Sequence, residues 1–376
     1  MMTARSGWRA CLAAGLAVGG SMALASGAGA SPRGPGGMGS TTVVAQHLVP
    51  RYTVYSPGPA VPTQRTTSTT GLPTWSGSFT FSSTTYRYKM VGTNPATSSA
   101  TTRVSTKLVP LVFKAGTSTF SSTGLETRFK ESPLFESTKY ASGTGEFESE
   151  AQRAEFWKFV KSTTSTYNVD ISTPVVLSSK AYTVPSGDYE LAVAPNGVKV
   201  LLVNLGWWQT QLKTLLGAEA FSASTLPLLL ASNVFFYVNN NPSDCCVLGF
   251  HGAYGTGSAH TYAFSAWPSP GIFSGGVSDV TPMSHEVGEW MNDPYTSNVV
   301  PRWDQPDGAT CFSDLLEVGD PIEALPKQTF AVTTVGGTYH PQDLAGISWF
   351  AHFSPSYEQN SKYSFEGYLT SPSTIC

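Results

Sequence analysis

The chain has 376 residues, of which only 12% are charged, and its formal charge of -3 argues against nucleic-acid binding. Serine, threonine, glycine and aromatic residues are abundant instead, so the surface is solvated by hydroxyls more than by charges. No run beyond the first thirty residues is long and apolar enough to cross a bilayer; STLPLLLASNVFFYV comes closest, and Pro227 and Ser232-Asn233 break it.

The N-terminus carries Arg5 and Arg9, then the small-residue apolar run CLAAGLAVGGSMALASGAGA, with Ala28-Gly29-Ala30 as an A-x-A cleavage site. This pattern predicts a secretory signal peptide over residues 1–30 and a secreted, extracellular mature chain. Cys11 leaves with the signal. Cys245, Cys246, Cys311 and Cys376 remain, and four cysteines in an oxidising compartment predict two disulfides. Adjacent cysteines rarely meet disulfide geometry, so a Cys245–Cys246 bridge is excluded, and each of the pair is expected to take one of Cys311 and Cys376.

Residues 31–75 are rich in Pro, Gly, Ser and Thr with little periodicity, which predicts a flexible linker or pro-segment before a folded domain over 76–376. From Trp75 to Val112 the pattern is β-like: SFTFSSTTYRYKMVG alternates, and TRVSTKLVPLVFKAG ends in an apolar run. SEAQRAEFWKFV predicts a helix, with Ser149 and Gln152 as a capping box and Phe156, Trp157 and Val160 on one face. VKVLLVN (198–204) is expected as a buried strand, and GWWQTQLKTLLG as a helix that buries Trp208, Leu212, Leu215 and Leu216. NVFFYVNN, CVLGFHGAYG and HTYAFSAWP then read as three strands, and PQDLAGISWFA as a C-terminal helix. Strands alternating with helices, followed by a β-rich run, imply an α/β fold with a mixed sheet. Trp207-Trp208 and Phe235-Phe236-Tyr237 suggest a carbohydrate platform, but their helical and strand spacing assigns them to the core.

The chemistry concentrates in TPMSHEVGEWMNDPY (281–295). Thr281 and Pro282 suit a helix start, and Pro294 ends the helix. On that helix His285 and Glu289 stand one turn apart on one face, the spacing at which two side chains hold one metal ion. Glu286 sits at the edge of that face, where a zinc-protease helix places the glutamate that activates water. Gly288 leaves a gap for a close backbone approach. From Glu286 to Glu323 nine acids face one base, Arg302, a cluster that repels itself unless solvated or neutralised by a cation. Within it, Glu317 and Asp320 follow the apolar Leu315-Leu316, and a buried carboxylate without a partner is expensive.

Three elements together, His-Glu-Val-Gly-Glu, Asn292-Asp293-Pro294 and Glu317-Val318-Gly319-Asp320, resemble the H-E-[IV]-x-E…[ND]-P…E-[IV]-x-D pattern of secreted zincin-like proteins. These include the plant Exordium (phosphate-induced) family and related bacterial exported proteins. SPLFES…EAQRAEFW and the SWFAHFSPS tail are similar to the bacterial members, so the resemblance spans roughly residues 105–376. It implies a zincin-like mixed sheet with an active-site helix and a C-terminal subdomain. It also implies His285 and Glu289 as ligands of one divalent ion, zinc first, with Glu317 or Asp320 completing the set and Glu286 as the base. The expected activity is peptidase-like hydrolysis of a protein or peptide. A metal-stabilised, non-catalytic protein that binds cell-wall or extracellular polymer is the alternative. Two carboxylate ligands lower the positive charge left to acidify a bound water and favour harder ions such as Mn²⁺, Fe²⁺ or Ca²⁺.

Other candidates carry weaker signals. His251 in GFHGAYG is expected as a core or edge histidine ahead of a ligand, and His340 and His352 as structural groups ahead of oxyanion or ligand roles. Ser284 lacks the setting of a serine nucleophile. Asp304-x-x-Asp307-Gly falls short of a calcium loop.

Overall fold

In a computed structural model the described residues are 43–44, 48, 51–52, 71–162, 165–255, 259–353 and 360–376. The expected signal peptide lies outside them. Apolar strands and amphipathic helices account for the architecture, which is mixed α/β, as the alternation of elements predicts.

A broad mixed sheet forms the centre. Its main path uses β1 (Thr101–Ala115), β2 (Tyr189–Val193), β3 (Lys199–Asn204), β4 (Thr225–Ser232), β5 (Val234–Tyr237), β6 (Cys245–Tyr254) and β7 (His260–Trp267), in the order β2-β3-β5-β6-β7-β4-β1. Pairing is parallel for β3–β5, β7–β4 and β4–β1, and antiparallel for β2–β3, β5–β6 and β6–β7. Short strands extend it, among them Val43–Val44 and Arg51–Tyr52 from the stretch read as a linker. β1 shows why the sequence reads as it does: its first half alternates exposed and buried, and its second half is almost continuously buried where the sheet is covered on both faces.

Helices cover both faces. On one side α2 (Leu205–Glu219) lays Trp208, Leu212, Leu215 and Leu216 onto Phe236, Phe250 and Phe264. Its start follows Asn204, whose side chain accepts from the N–H groups of Gly206 and Trp207. Trp208, Phe235, Phe236 and Tyr237 are buried in the core, and Trp207 is half-buried against it. On the other face α3 (Thr281–Asn292), with Val280 just before it, packs Met283, Val287, Trp290 and Met291 against Leu228, Leu230 and Ala263, and Trp290 donates its Nε1–H to Thr261 at 2.9 Å. A third cluster, around Trp303, Leu316, Val318, Ile322, Leu344 and Trp349, belongs to the C-terminal region. All twelve residues of α3 are therefore buried, including Ser284, His285, Glu286, Glu289 and Asn292.

Several local expectations change. The first strong helix divides into α1 (Phe147–Glu155) and a short turn at Trp157–Val160, and it begins two residues before Ser149. Ser149 is no cap: its hydroxyl donates to Asp170 at 3.0 Å and accepts from the Val169 N–H. The C-terminal helix contracts to Ile347–Ala351 because Asp343, buried in the preceding turn, gathers the N–H groups of Leu344, Glu366 and Tyr368 and fixes that segment as a loop. Cys245 and Cys246 are bridged to each other, and Cys311 to Cys376, so the exclusion of the adjacent pair was wrong. It assumed a trans peptide with Cα atoms about 3.8 Å apart; the Cys245–Cys246 peptide is cis and its Cα atoms stand at 3.0 Å. Cys311–Cys376 instead fastens the chain end beside the strand Val299–Asp304, where Ile375 pairs with Trp303.

Candidate metal centre

Strand alternation on β6 aims Phe250 at α2, while Gly249 and His251 point at α3. The missing side chain at Gly249 matters: a Cβ there would lie 2.6 Å from Glu286 Oε1 and 2.8 Å from its Cγ. Gly319 does the same for His285, whose ring Nδ1 would be 2.4 Å from a Cβ at that position. The gap left by Gly288 admits side chains and no backbone: a Cβ there would meet Leu344 at 2.6 Å and the Glu148 carboxylate at 3.1 Å. α3 can therefore bury its polar edge only because small residues on β6 and in the C-terminal segment leave room.

The helix brings His285 Nε2 to 2.9 Å from Glu289 Oε1, the one-turn pairing expected from the sequence, and Asp320 Oδ1 stands 3.6 Å from the same nitrogen. These three offer donor atoms within 4.8 Å of one another. The tautomer of His285 follows from its far side. Gln342 donates its Nε2–H to the Gly319 carbonyl at 2.8 Å, which turns its Oε1 toward His285 Nδ1 at 3.2 Å, and that ring nitrogen must donate. Gln342 is itself held by the Ser284 hydroxyl, which accepts its backbone N–H at 2.9 Å. The Gly319 N–H donates to Glu289 Oε1 at 3.2 Å.

His251 also lies in the site. Its Nε2 donates to the Asp293 carbonyl at 3.1 Å, and its Nδ1 faces Glu286 Oε2 at 3.3 Å and Glu289 Oε2 at 3.5 Å. His251, Glu286 and Glu289 form a second compact donor group, entirely buried. Glu317 lies on this side, with Oε2 3.9 Å from His251 Nε2, and neither of its oxygens finds a hydrogen-bond donor. Asp293 is satisfied by the Ser297 and Asn298 N–H groups, both at 2.9 Å. Among the described residues, no lysine or arginine pairs with any of these acids.

The electrostatics follow from that crowding. Burial lifts Glu286 to about 7 and Asp293 to about 6. Glu317 and Asp320 are pushed well above the ordinary range, first by burial and then by the charge of Glu289. Burial opposes the charge of Glu289 most strongly, but the imidazoles of His285 and His251 together outweigh it and hold that carboxyl well below its usual value. Burial pulls His285 down and Glu289 pulls it up, leaving it at about 9.

The remaining candidates lie elsewhere. His340 pairs with Asp279 at 2.8 Å, and His352 meets the Ser373 hydroxyl at 2.9 Å. Asp307 and Asp314 are exposed and Asp304 half-buried, its Oδ1 accepting from the Cys311 N–H. The acidic run thus divides into a stretch carrying Asp304, Asp307 and Asp314, a half-buried Glu323, and a buried set of Glu286, Glu289, Asp293, Glu317 and Asp320. Sequence reasoning set His251 aside and overlooked Gln342. The only available signal was the glycine on either side of Phe250-His251, which marks a strand where something approaches closely.

No family model, curated protein or solved structure matches the chain.

Proposed function

We infer that this chain is an exported metal-dependent hydrolase of peptidase type, built on a zincin-like site. The carrying observation is the convergence of His285 Nε2, Glu289 and Asp320 with the opposite nitrogen of His285 committed to Gln342. A histidine whose second N–H is fixed by an acceptor is how proteins present an imidazole lone pair to a metal. His285, Glu289 and Asp320 would hold the ion, with Glu317 near enough to join. An ion there supplies Lewis acidity to a water and to a substrate carbonyl. Glu286, lifted to about 7 by burial, suits a base that takes a proton near neutral pH. The similarity of the HEVGE and EVGD elements to secreted zincin-like proteins supports the same assignment, with zinc as the first candidate and Mn²⁺, Fe²⁺ or Ca²⁺ admitted by the carboxylates.

One observation favours the non-catalytic alternative, a metal-stabilised secreted or wall-associated binding protein. Every group named above is buried, none more than 5% exposed, so a scissile carbonyl reaches Glu286 only if the surrounding segments part. Glu286→Gln separates the two readings. Hydrolysis of denatured casein by the purified protein, with loss of about 10²-fold or more in Glu286→Gln while the ion at His285 is retained, is expected for the hydrolase. Equal rates in the two proteins overturn the role of Glu286, and a metal-loaded wild type that cleaves nothing favours the scaffold.

A further inference from the structure

We propose that the site takes two cations, with Glu289 as the bridge between them: one beside His285 and Asp320, the second beside His251 and Glu286. This rests on the metal reading above and extends it.

The two oxygens of Glu289 face different histidines. Oε1 is 2.9 Å from His285 Nε2, and Oε2 is 3.5 Å from His251 Nδ1. Each imidazole is oriented from behind in the same manner. His285 gives its Nδ1–H to Gln342, and His251 gives its Nε2–H to the Asp293 carbonyl. The nitrogen left on each ring points at Glu289, and such a nitrogen among carboxylates needs a positive partner, either a proton or a metal. The carboxylates around His251 favour a proton on it, but one proton supplies a single charge and a single donor. His251 Nδ1 meets Glu286 and Glu289 together, and Glu317 stands behind with both oxygens buried and lacking donors. A metal ion accepts from His251, Glu286 and Glu289 at once, and the separation of their donor atoms within 4.8 Å suits it.

Charge points the same way. The buried set has five carboxylates, two imidazoles and no lysine or arginine. With the acids ionised, one dication leaves three negative charges uncompensated in an interior where each is costly, whereas two dications leave one. Gly249 admits the arrangement sterically, since any side chain there would strike the Glu286 carboxylate. Glu286 then gives Oε2 to the second ion. Its Oε1, which has no hydrogen-bond partner, stays available for a proton.

The test is stoichiometry on the whole purified chain. After loading with Mn²⁺ and removal of excess, elemental analysis should return about two equivalents, and electron paramagnetic resonance should show exchange coupling between the ions. His251→Ala should drop the content to about one equivalent with an isolated-ion spectrum. His285→Ala should remove the ion beside Asp320. One equivalent in the wild type, uncoupled and lost in His285→Ala but kept in His251→Ala, overturns the second position and leaves the first intact. Two equivalents insensitive to His251→Ala place the second ion elsewhere and also overturn it. No bound metal sinks both readings. The wild-type count and spectrum stand even if a variant fails to fold.

Discussion

Gly319→Ala tests the geometry of the site without touching a ligand. Gly319 has φ -83° and ψ -37°, a conformation that alanine adopts freely, so the substitution adds no backbone strain. Its whole effect is steric. The new methyl would sit 2.4 Å from His285 Nδ1 and 2.6 Å from Cε1 and Cγ, where ordinary contact begins at 3.4 Å. The ring must retreat by about 1 Å, while metal–ligand distances tolerate about 0.2 Å. Gly319 also anchors Gln342 through its carbonyl and Glu289 through its N–H, so the retreat reaches both partners of His285. Overpacking of this kind costs roughly 1–3 kcal/mol of stability. Loss of ligand orientation costs about 10–100-fold in metal affinity, or about 1.4–2.7 kcal/mol. Chelator-competition titration reads the affinity, and thermal unfolding of the chelated protein reads the stability. Gly187→Ala, where a Cβ meets nothing within 4 Å, is the control. If Gly319→Ala binds metal within about twofold of the wild type, the placement of His285 against Gly319 is wrong.

Three further outcomes are expected. Chelation should lower the melting temperature by roughly 5–10 °C from a state loaded at about 100 times Kd, because binding to the folded state alone adds about 2.7 kcal/mol; an unchanged melting point under EDTA refutes a stabilising ion. Glu155, buried in α1 and accepting the Ile347 N–H at 2.5 Å, is lifted by burial to about 8 from 4.5. A raised acid contributes stability that is complete below about 4.5 and is lost as pH rises through about 8. Glu155→Gln should therefore flatten the fall in urea-unfolding free energy across that window, by up to about 4–5 kcal/mol, and an unaltered slope argues against it. Glu148, wedged against Gly288 with both oxygens buried and unpartnered, opposes folding at neutral pH. Glu148→Met should stabilise by about 1–3 kcal/mol in the same assay, and a loss of more than about 1 kcal/mol would show that the carboxylate is needed.

How much of this was legible in the sequence depends on whether the signal is local. α3, the one-turn pairing of His285 with Glu289 and the buried face of α2 follow from helix periodicity alone, and the burial of β3 follows from its continuous apolar run. The sheet order does not. β4 sits between β1 and β7 in space, yet Thr225–Ser232 reads only as an apolar run containing a proline. His251 is the clearest case at the site. It enters through the register of β6 against β7, where it lies opposite Ala263, and no spacing within the chain encodes that contact. Gln342 reaches His285 across 57 residues of chain and is equally invisible. The EVGD element was visible, but which carboxylate turns to which histidine was not. Asp320 begins a short helix and faces His285, while Glu317, three residues earlier, lies beside His251.

Under the two-cation proposal, that division gives a role to the glutamate that stands where a zinc protease has its second histidine. An imidazole at position 289 could present one lone pair in one direction. A carboxylate presents two oxygens, and here they are directed at histidines contributed by different parts of the fold, one from α3 itself and one from the central sheet. The remaining acids come from the C-terminal segment, so helix, sheet and C-terminal region meet at Glu289 and depend on what neutralises it. A histidine substituted there would restore the protease-like spelling while removing the group that joins the two halves of the site. On this reading the exchanged residue is what makes the site of this protein.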